Sequence, residues 1–282
     1  MEVAMLAKKL GSLLALAIVP ALAQIPSQTA AAPTNSPIPR QHAPRRVAGL
    51  RPDRHIDNVT VSDSTNWSGY AVTGTSFTHA IGSWTIPSVN CSKTPNTYSS
   101  FWVGLDGWNS DTVEQTGTDS DCDGSSPSYY AWYEFYPAAS ILVSSVPVSP
   151  GNHMSASVTF NSGSSFTLSI TNESTGKTFT KTGTVSGAER TSAEWIAEAP
   201  CCTRRGGILP LADFGTVDLG DDFTGVSGTN DATDSTVSGQ ISAFGADVNE
   251  AIMINGTTGA NEAVPSGLSS DGTSFSVTWD SE

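Results

Sequence analysis

A chain of 282 residues with a formal net charge of −14 has room for one or two domains. The charge is uneven: residues 24–59 carry five arginines against two aspartates, a net +3, while the chain from residue 60 on carries 24 acids against six Lys and Arg, a net −18. A body this acidic repels phosphate, so nucleic acid is not an expected partner.

The first residues read as a secretory signal peptide over 1–23. Lys8 and Lys9 precede an apolar run from Leu10 to Val19, and Ala21-Leu22-Ala23 supplies small residues at the cleavage positions. That run is short for a bilayer span and no later stretch is long and apolar enough, so a secreted chain with no membrane partner is expected. Residues 24–59 are rich in Pro and Ala and poor in large apolar side chains. Such a composition cannot bury a core and predicts an extended segment. It reads either as a linker or as a removable propeptide, an intramolecular partner whose arginines sit on the acidic body until low pH protonates the acids.

The texture changes near Val61, and residues 60–282 are expected to form the folded domain. Short alternating runs bounded by Gly, Pro and Asn predict strands at Asn66–Val72, His79–Ile86 and Tyr98–Leu105, the last ending in a turn at Asp106-Gly107. In the stretch 101–137, Tyr130, Trp132, Glu134 and Tyr136 fall on one strand face, and Ala131, Tyr133 and Phe135 on the other. One face therefore sets a carboxylate among aromatic rings, as in a groove for a polymer, or else carries one acid at its rim. Met154, Ala156, Val158 and Phe160, then Phe166, Leu168 and Ile170, repeat the alternation, and Asn172–Gly176 turns tightly into Lys177–Lys181. Near residue 190, Arg-Thr-Ser-Ala-Glu-Trp-Ile-Ala-Glu-Ala-Pro places Glu194, Ile196 and Glu198 on one side of a strand; a helix would set the two acids against each other. The tail alternates at Phe275, Val277 and Trp279. Together these predict an all-β, antiparallel two-sheet sandwich.

Cys91, Cys122, Cys201 and Cys202 permit three pairings in a secreted chain, and no spacing among them suggests a metal site. Asn58, Asn66, Asn172 and Asn255 fit the glycosylation pattern. In acid the body would keep only six Lys and Arg with His79 and His153, so positive self-repulsion stays small.

Familiar hydrolase machinery is missing. There is no G-x-S-x-G, no H-E-x-x-H and no D-[TS]-G, which leaves carboxylates, amides and aromatic rings on sheet faces. Five strings then carry a resemblance: N-W-S-G-Y-A at 66–71, F-W-V-G-L-D-G at 101–107, Q-T-G-T-D at 115–119, A-W-Y-E-F-Y-P at 131–137 and S-A-E-W-I-A-E at 192–198. In order and approximate spacing they resemble the motifs of the glutamic peptidases, or eqolisins, which are pepstatin-insensitive acid peptidases. The resemblance implies a sandwich related to the concanavalin A-like lectins and glucanases. It also implies a catalytic pair of Gln115 and Glu198, with Trp67, Trp102, Asp106, Asp119, Trp132, Glu134 and Glu194 lining or supporting the cleft. A monomeric secreted endopeptidase acting on protein or peptide substrates without cofactor or metal follows from it.

This assignment is chemically sensible. Glu198 would take a proton from the attacking water and deliver it to the leaving amine, while the Gln115 amide, which does not titrate, would stabilise the oxyanion in acid. Two features depart from the fungal pattern. Glu114 stands where an apolar residue is usual, and the segments 108–113 and 187–192 lack the cysteines that bridge them elsewhere in the family. A glycoside hydrolase using Glu134 with Glu198 or Glu194, with Trp132 and Trp102 stacking sugars, is the alternative on the same sandwich, and a lectin-like module is a third.

Overall fold

The computed structural model describes residues 37, 39–202 and 207–282. The signal-peptide reading and residues 24–36 lie outside them. Gly, Asn and Pro punctuate the chain into strands β1 (Arg54–Ile56), β2 (Val59–Ser64), β3 (Trp67–Thr73), β4 (His79–Thr85), β5 (Ser100–Leu105) and β6 (Val113–Asp123). There follow β7 (Ser126–Tyr136), β8 (Ile141–Val143), β9 (His153–Ser162), β10 (Ser165–Asn172), β11 (Lys177–Thr184) and β12 (Ser192–Glu198). The tail supplies β13 (Thr216–Leu219), β14 (Asp231–Thr233), β15 (Ser238–Gln240), β16 (Val248–Ile254), β17 (Asn261–Pro265) and β18 (Phe275–Trp279). A four-residue helix, Asp221–Thr224, and a 3-10 segment, Ile241–Asp247, interrupt it. Among the described residues no helix is long and apolar enough to cross a membrane.

One layer runs β8-β7-β6-β5-β12-β3-β16-β2-β1. The other runs β11-β10-β9-β4, with β14 and β15 beside β4. Strands β13, β18 and β17 lead from β4 back to β16. The sandwich expected from the sequence is therefore present, and among the named strands only β16 and β2 pair in parallel. Residues 65–247 separate the two strands, so no hairpin fixes their relative direction.

Period-2 alternation divides the first layer into two faces. Phe101, Val103, Ala131 and Trp195 point inward and pack with Trp84, Met154, Phe166 and Leu168 from the second layer. Their neighbours Trp67, Trp102, Trp108, Tyr130, Trp132 and Ile196 form a separate aromatic cluster on the opposite face. The two faces predicted for 130–136 and for 193–198 are thus both realised. Gly117 permits this packing, because a methyl group there would strike the Phe101 carbonyl and the Trp102 side chain.

The stretch 39–53 packs as an extended arm on this outer aromatic face. It is tied down by bridges from Gln41 to Cys201 and from Val47 to Ser64, and it ends in the β1–β2 hairpin. This part of the arm belongs to the same compact unit as the sandwich. The disulfides are Cys91–Cys122 and the adjacent pair Cys201–Cys202. Of the four glycosylation-pattern asparagines, Asn66 and Asn172 are buried with their amides hydrogen-bonded, which removes them as acceptors in the folded chain.

Candidate active site

Strand register brings the predicted residues together. Glu194, Gly104, Gln115 and Glu134 lie side by side in one row across β12, β5, β6 and β7. Two residues along, Ile196, Trp102, Gly117 and Trp132 form the next row, and beyond it stand Glu198, Ser100, Asp119 and Tyr130. Trp67 on β3 pairs opposite Glu198. Gln115, Glu134, Asp119, Glu194, Glu198 and the three tryptophans therefore share one face, and all are buried.

The indole of Trp102 donates from Nε1 to Glu198 Oε2 at 2.8 Å, and Trp67 packs edge-on to Trp102 with ring centroids 4.9 Å apart. Glu198 Oε1 has no hydrogen-bond partner. Burial, with help from Glu134 and Asp119 and against His42 and Trp102, pushes the Glu198 carboxyl up to about 8. Burial likewise holds Glu194 well above the usual range and Glu114 at about 9, with Asp106 adding to both. These carboxyls are neutral in acid, which removes the cost of burying them as charges.

Asp106 does not face the aromatic cluster. Its carboxylate accepts from the backbone N–H groups of Glu189, Arg190 and Thr191 at 2.7–2.9 Å, and so fixes the loop that feeds β12. Tyr130 has a single hydroxyl proton yet lies 2.8 Å from both Asp119 and Asp121. Burial, then Asp119, raises the Asp121 carboxyl.

His42, which no motif in the sequence singles out, sits at the centre of this face, fully buried. Its ring stacks on Trp132 with centroids 3.6 Å apart, and its nitrogens lie 3.1 Å from Glu134 and 3.2 Å from Asp119. Trp132 Nε1 donates to the same Asp119 oxygen at 2.7 Å. Burial alone would lower the histidine; the carboxylates of Asp119 and Glu134 overcome it and push the ring up to about 10. The His42 backbone N–H donates to Glu134 at 2.9 Å, and Gln115 Nε2 donates to the His42 carbonyl oxygen at 2.7 Å. Next along the arm, the Ala43 carbonyl accepts from Trp67 Nε1 at 3.1 Å. The only sequence signal for this arrangement was a histidine within the basic string Arg40-Gln41-His42-Ala43-Pro44-Arg45-Arg46. The arginines around it behave partly as charge complementarity predicts. Arg40 lies 3.9 Å from Asp121, and Arg51 pairs with Asp63, whereas Arg45 stacks on Trp108. No cluster of His, Cys, Asp and Glu suited to a metal ion occurs among the described residues.

The face thus holds an amide donor on a peptide carbonyl, next to a buried carboxyl. A sequence profile of the Peptidase A4 family matches residues 65–279. The chain belongs to that family. Its members named among the relatives are glutamic peptidases, enzymes that hydrolyse peptide bonds. Scytalidopepsin B of Scytalidium lignicola is 32% identical over 210 residues, which cover 71% of this chain and 79% of that protein. Aspergillopepsin-2 of Aspergillus niger is 32% identical over 176 residues, covering 55% of this chain and 62% of the relative, so this match spans a little under two thirds of it. Among solved structures, scytalido-glutamic peptidase bound to a transition-state analog inhibitor superposes with a TM-score of 0.63 at 26% identity, covering 77% of this chain and 98% of that one. Aspergilloglutamic peptidase from Aspergillus niger gives 0.53 at 29% identity, covering 65% and 99%. In this peptidase family member the aromatic face is the outer face of β12, β5, β6 and β7, and the arm lies along it.

Proposed function

We propose that the chain is a secreted acid endopeptidase in which Glu198 and Gln115 form the catalytic pair, and that the segment before residue 60 is a removable arm covering them. The observation that carries the reading is the 2.7 Å hydrogen bond from the Gln115 amide to a peptide carbonyl, on the same face as Glu198. The amide is already placed as an oxyanion donor would be, on the oxygen of a bound peptide. Relatives support a peptide occupant: solved scytalido-glutamic peptidase structures hold a peptide-based transition-state analog and, in one, the tripeptide Ala-Ile-His.

In the mechanism that follows, a water beside Glu198 Oε1 loses a proton to that carboxylate as it attacks the scissile carbonyl. Gln115 stabilises the oxygen that becomes negative, and Glu198 returns the proton to the leaving nitrogen. Trp102 holds Glu198 by its other oxygen, which fixes the carboxyl plane. With the arm seated, burial keeps Glu198 protonated and unable to act as a base. Uncovering the face readmits water and lowers its pKa toward the working range.

The test is hydrolysis of a denatured protein at about pH 2–5, where such carboxyls titrate, with and without pepstatin, beside Glu198→Gln. Pepstatin-resistant cleavage that disappears in a folded variant is the expected result. Cleavage retained by Glu198→Gln would overturn the pair.

A further inference from the structure

We propose that the His42–Ala43 peptide bond is the chain's own processing site, and that the slot formed by Trp132, Asp119 and Glu134 selects a histidine ring on the acyl side of the bond to be cut. This rests on the peptidase reading of Gln115 and Glu198.

The arm is held as a substrate would be, by its backbone and on both sides of that bond. Before it, Gln41 exchanges two hydrogen bonds with Cys201, 2.9 and 2.8 Å, three residues past Glu198. After it, Arg45 N donates to the Gly107 carbonyl at 3.0 Å and Arg46 N to Asn66 at 2.8 Å. Between these anchors Gln115 grips the carbonyl of residue 42 and Trp67 the carbonyl of residue 43. Trp67 lies opposite Glu198 across β3 and β12. The peptide unit joining residues 42 and 43 therefore has the proposed oxyanion donor on its own carbonyl, and the next carbonyl is held by Trp67, whose ring packs against the Trp102 that holds Glu198.

The slot explains why residue 42 is a histidine. A ring is needed to lie flat on Trp132, and N–H groups at two of its edges are needed to meet Glu134 and Asp119 together. Phenylalanine would stack but bring no N–H groups or positive charge between Glu134 and Asp119. Lysine would pair with one and could not stack. The titratable groups facing the ring are Asp119, Glu134 and Glu198, with Asp121 and the Arg40 cation behind them. Acid that neutralises the carboxyls clasping the ring loosens the arm and admits water, and that hydration lowers the Glu198 carboxyl so that its ionised form becomes accessible. The oxygen of that water bonds to the His42 carbonyl carbon while Glu198 takes its proton. The C–N bond then breaks and the proton passes to the Ala43 nitrogen, leaving a carboxyl on His42 and a free amine on Ala43.

The purified full chain is taken from neutral pH to about pH 3, past the ordinary carboxyl range, and followed by intact mass and N-terminal sequencing. A product beginning at Ala43 is expected, and none in Glu198→Gln. In trans, the processed enzyme is given a synthetic peptide of residues 39–48 and the same peptide with His42→Ala. The histidine peptide should be cut after residue 42, and the alanine peptide about 10- to 100-fold more slowly, as expected for losing hydrogen bonds to charged groups. If the enzyme digests denatured protein but leaves the His42–Ala43 bond intact in chain and peptide, this proposal falls and the peptidase reading stands. Equal rates for the two peptides, or an Ala43 terminus in Glu198→Gln, would also overturn it. Failure to digest any protein would remove both.

Discussion

The imidazole of His42 lies on the indole of Trp132 with planes 7° from parallel, while its two nitrogens face Glu134 and Asp119. A ring from the basic arm thus occupies the most acidic part of the sandwich, and arm binding becomes a proton-linked equilibrium. His42 rises from 6.5 to about 10 on seating, so the seated arm holds a proton there, and affinity is complete below about 6.5 and falls as pH climbs toward 10. A peptide of residues 39–48 binding to arm-free Glu198→Gln should therefore be tighter near the lower end of that window than near its upper end. Calorimetry is expected to show at least a roughly tenfold loss across it, the equivalent of one charge-assisted hydrogen bond. A flat profile would show that the acids do not set the affinity.

Gln115 touches the arm carbonyl and Glu134 but no core side chain through its amide. Gln115→Ala in the processed enzyme should lower kcat by about 10²–10³ with little change in KM, as for loss of one oxyanion donor. A change confined to KM would make it a binding residue.

Glu114 is buried on the inward side of β6 with neither oxygen hydrogen-bonded, and burial then Asp106 push it up to about 9. The folded state therefore holds a proton that the unfolded chain, near 4.5, releases. Stability from this group is complete below about 4.5 and declines as pH rises toward 9. Glu194 and Glu198 act in the same direction. The melting temperature should be higher at about pH 4 than at about pH 8, and Glu114→Gln should shrink the difference by an amount on the order of 2 kcal/mol in unfolding free energy. An unchanged pH profile in the variant would assign the effect elsewhere.

Asp106 satisfies three backbone donors of the loop before β12. Asp106→Ala leaves them without their acceptor and should destabilise the fold by about 2–4 kcal/mol, read from denaturant midpoints. Because the loop sets the start of the strand carrying Glu194 and Glu198, activity should fall as well. A stable variant with full activity would show that the loop holds itself.

The Cys91–Cys122 disulfide closes a separation of 31 residues that includes all of β5 and most of β6. Replacing both cysteines by serine should cost about 3–4 kcal/mol by loop entropy. A loss under about 1 kcal/mol would mean that the strand ladder alone restrains this segment in the unfolded chain.

The sequence by itself determined the sandwich and its two faces. Alternation in 130–136 and 193–198 leaves one way to bury the apolar side once each stretch is a strand, and that choice puts Glu134, Glu194 and Glu198 on the opposite face. The motif strings placed Gln115 and the tryptophans as candidates because they keep their order. Long-range pairing was beyond any such local pattern. Register alone decided that Asp106 supports a loop while Asp119 faces the cluster, and that Asn66, a glycosylation-pattern residue in the sequence, is a buried anchor for Ala43 and Arg46. The arm shows the limit most clearly. Its composition has too few apolar residues to form a core of its own, and nothing local reveals that His42 has a ready-made aromatic and acidic slot waiting 77 to 92 residues away in the chain. Only the tertiary fold brings those partners to one point, because none of the contacts that bury the histidine is near it in sequence.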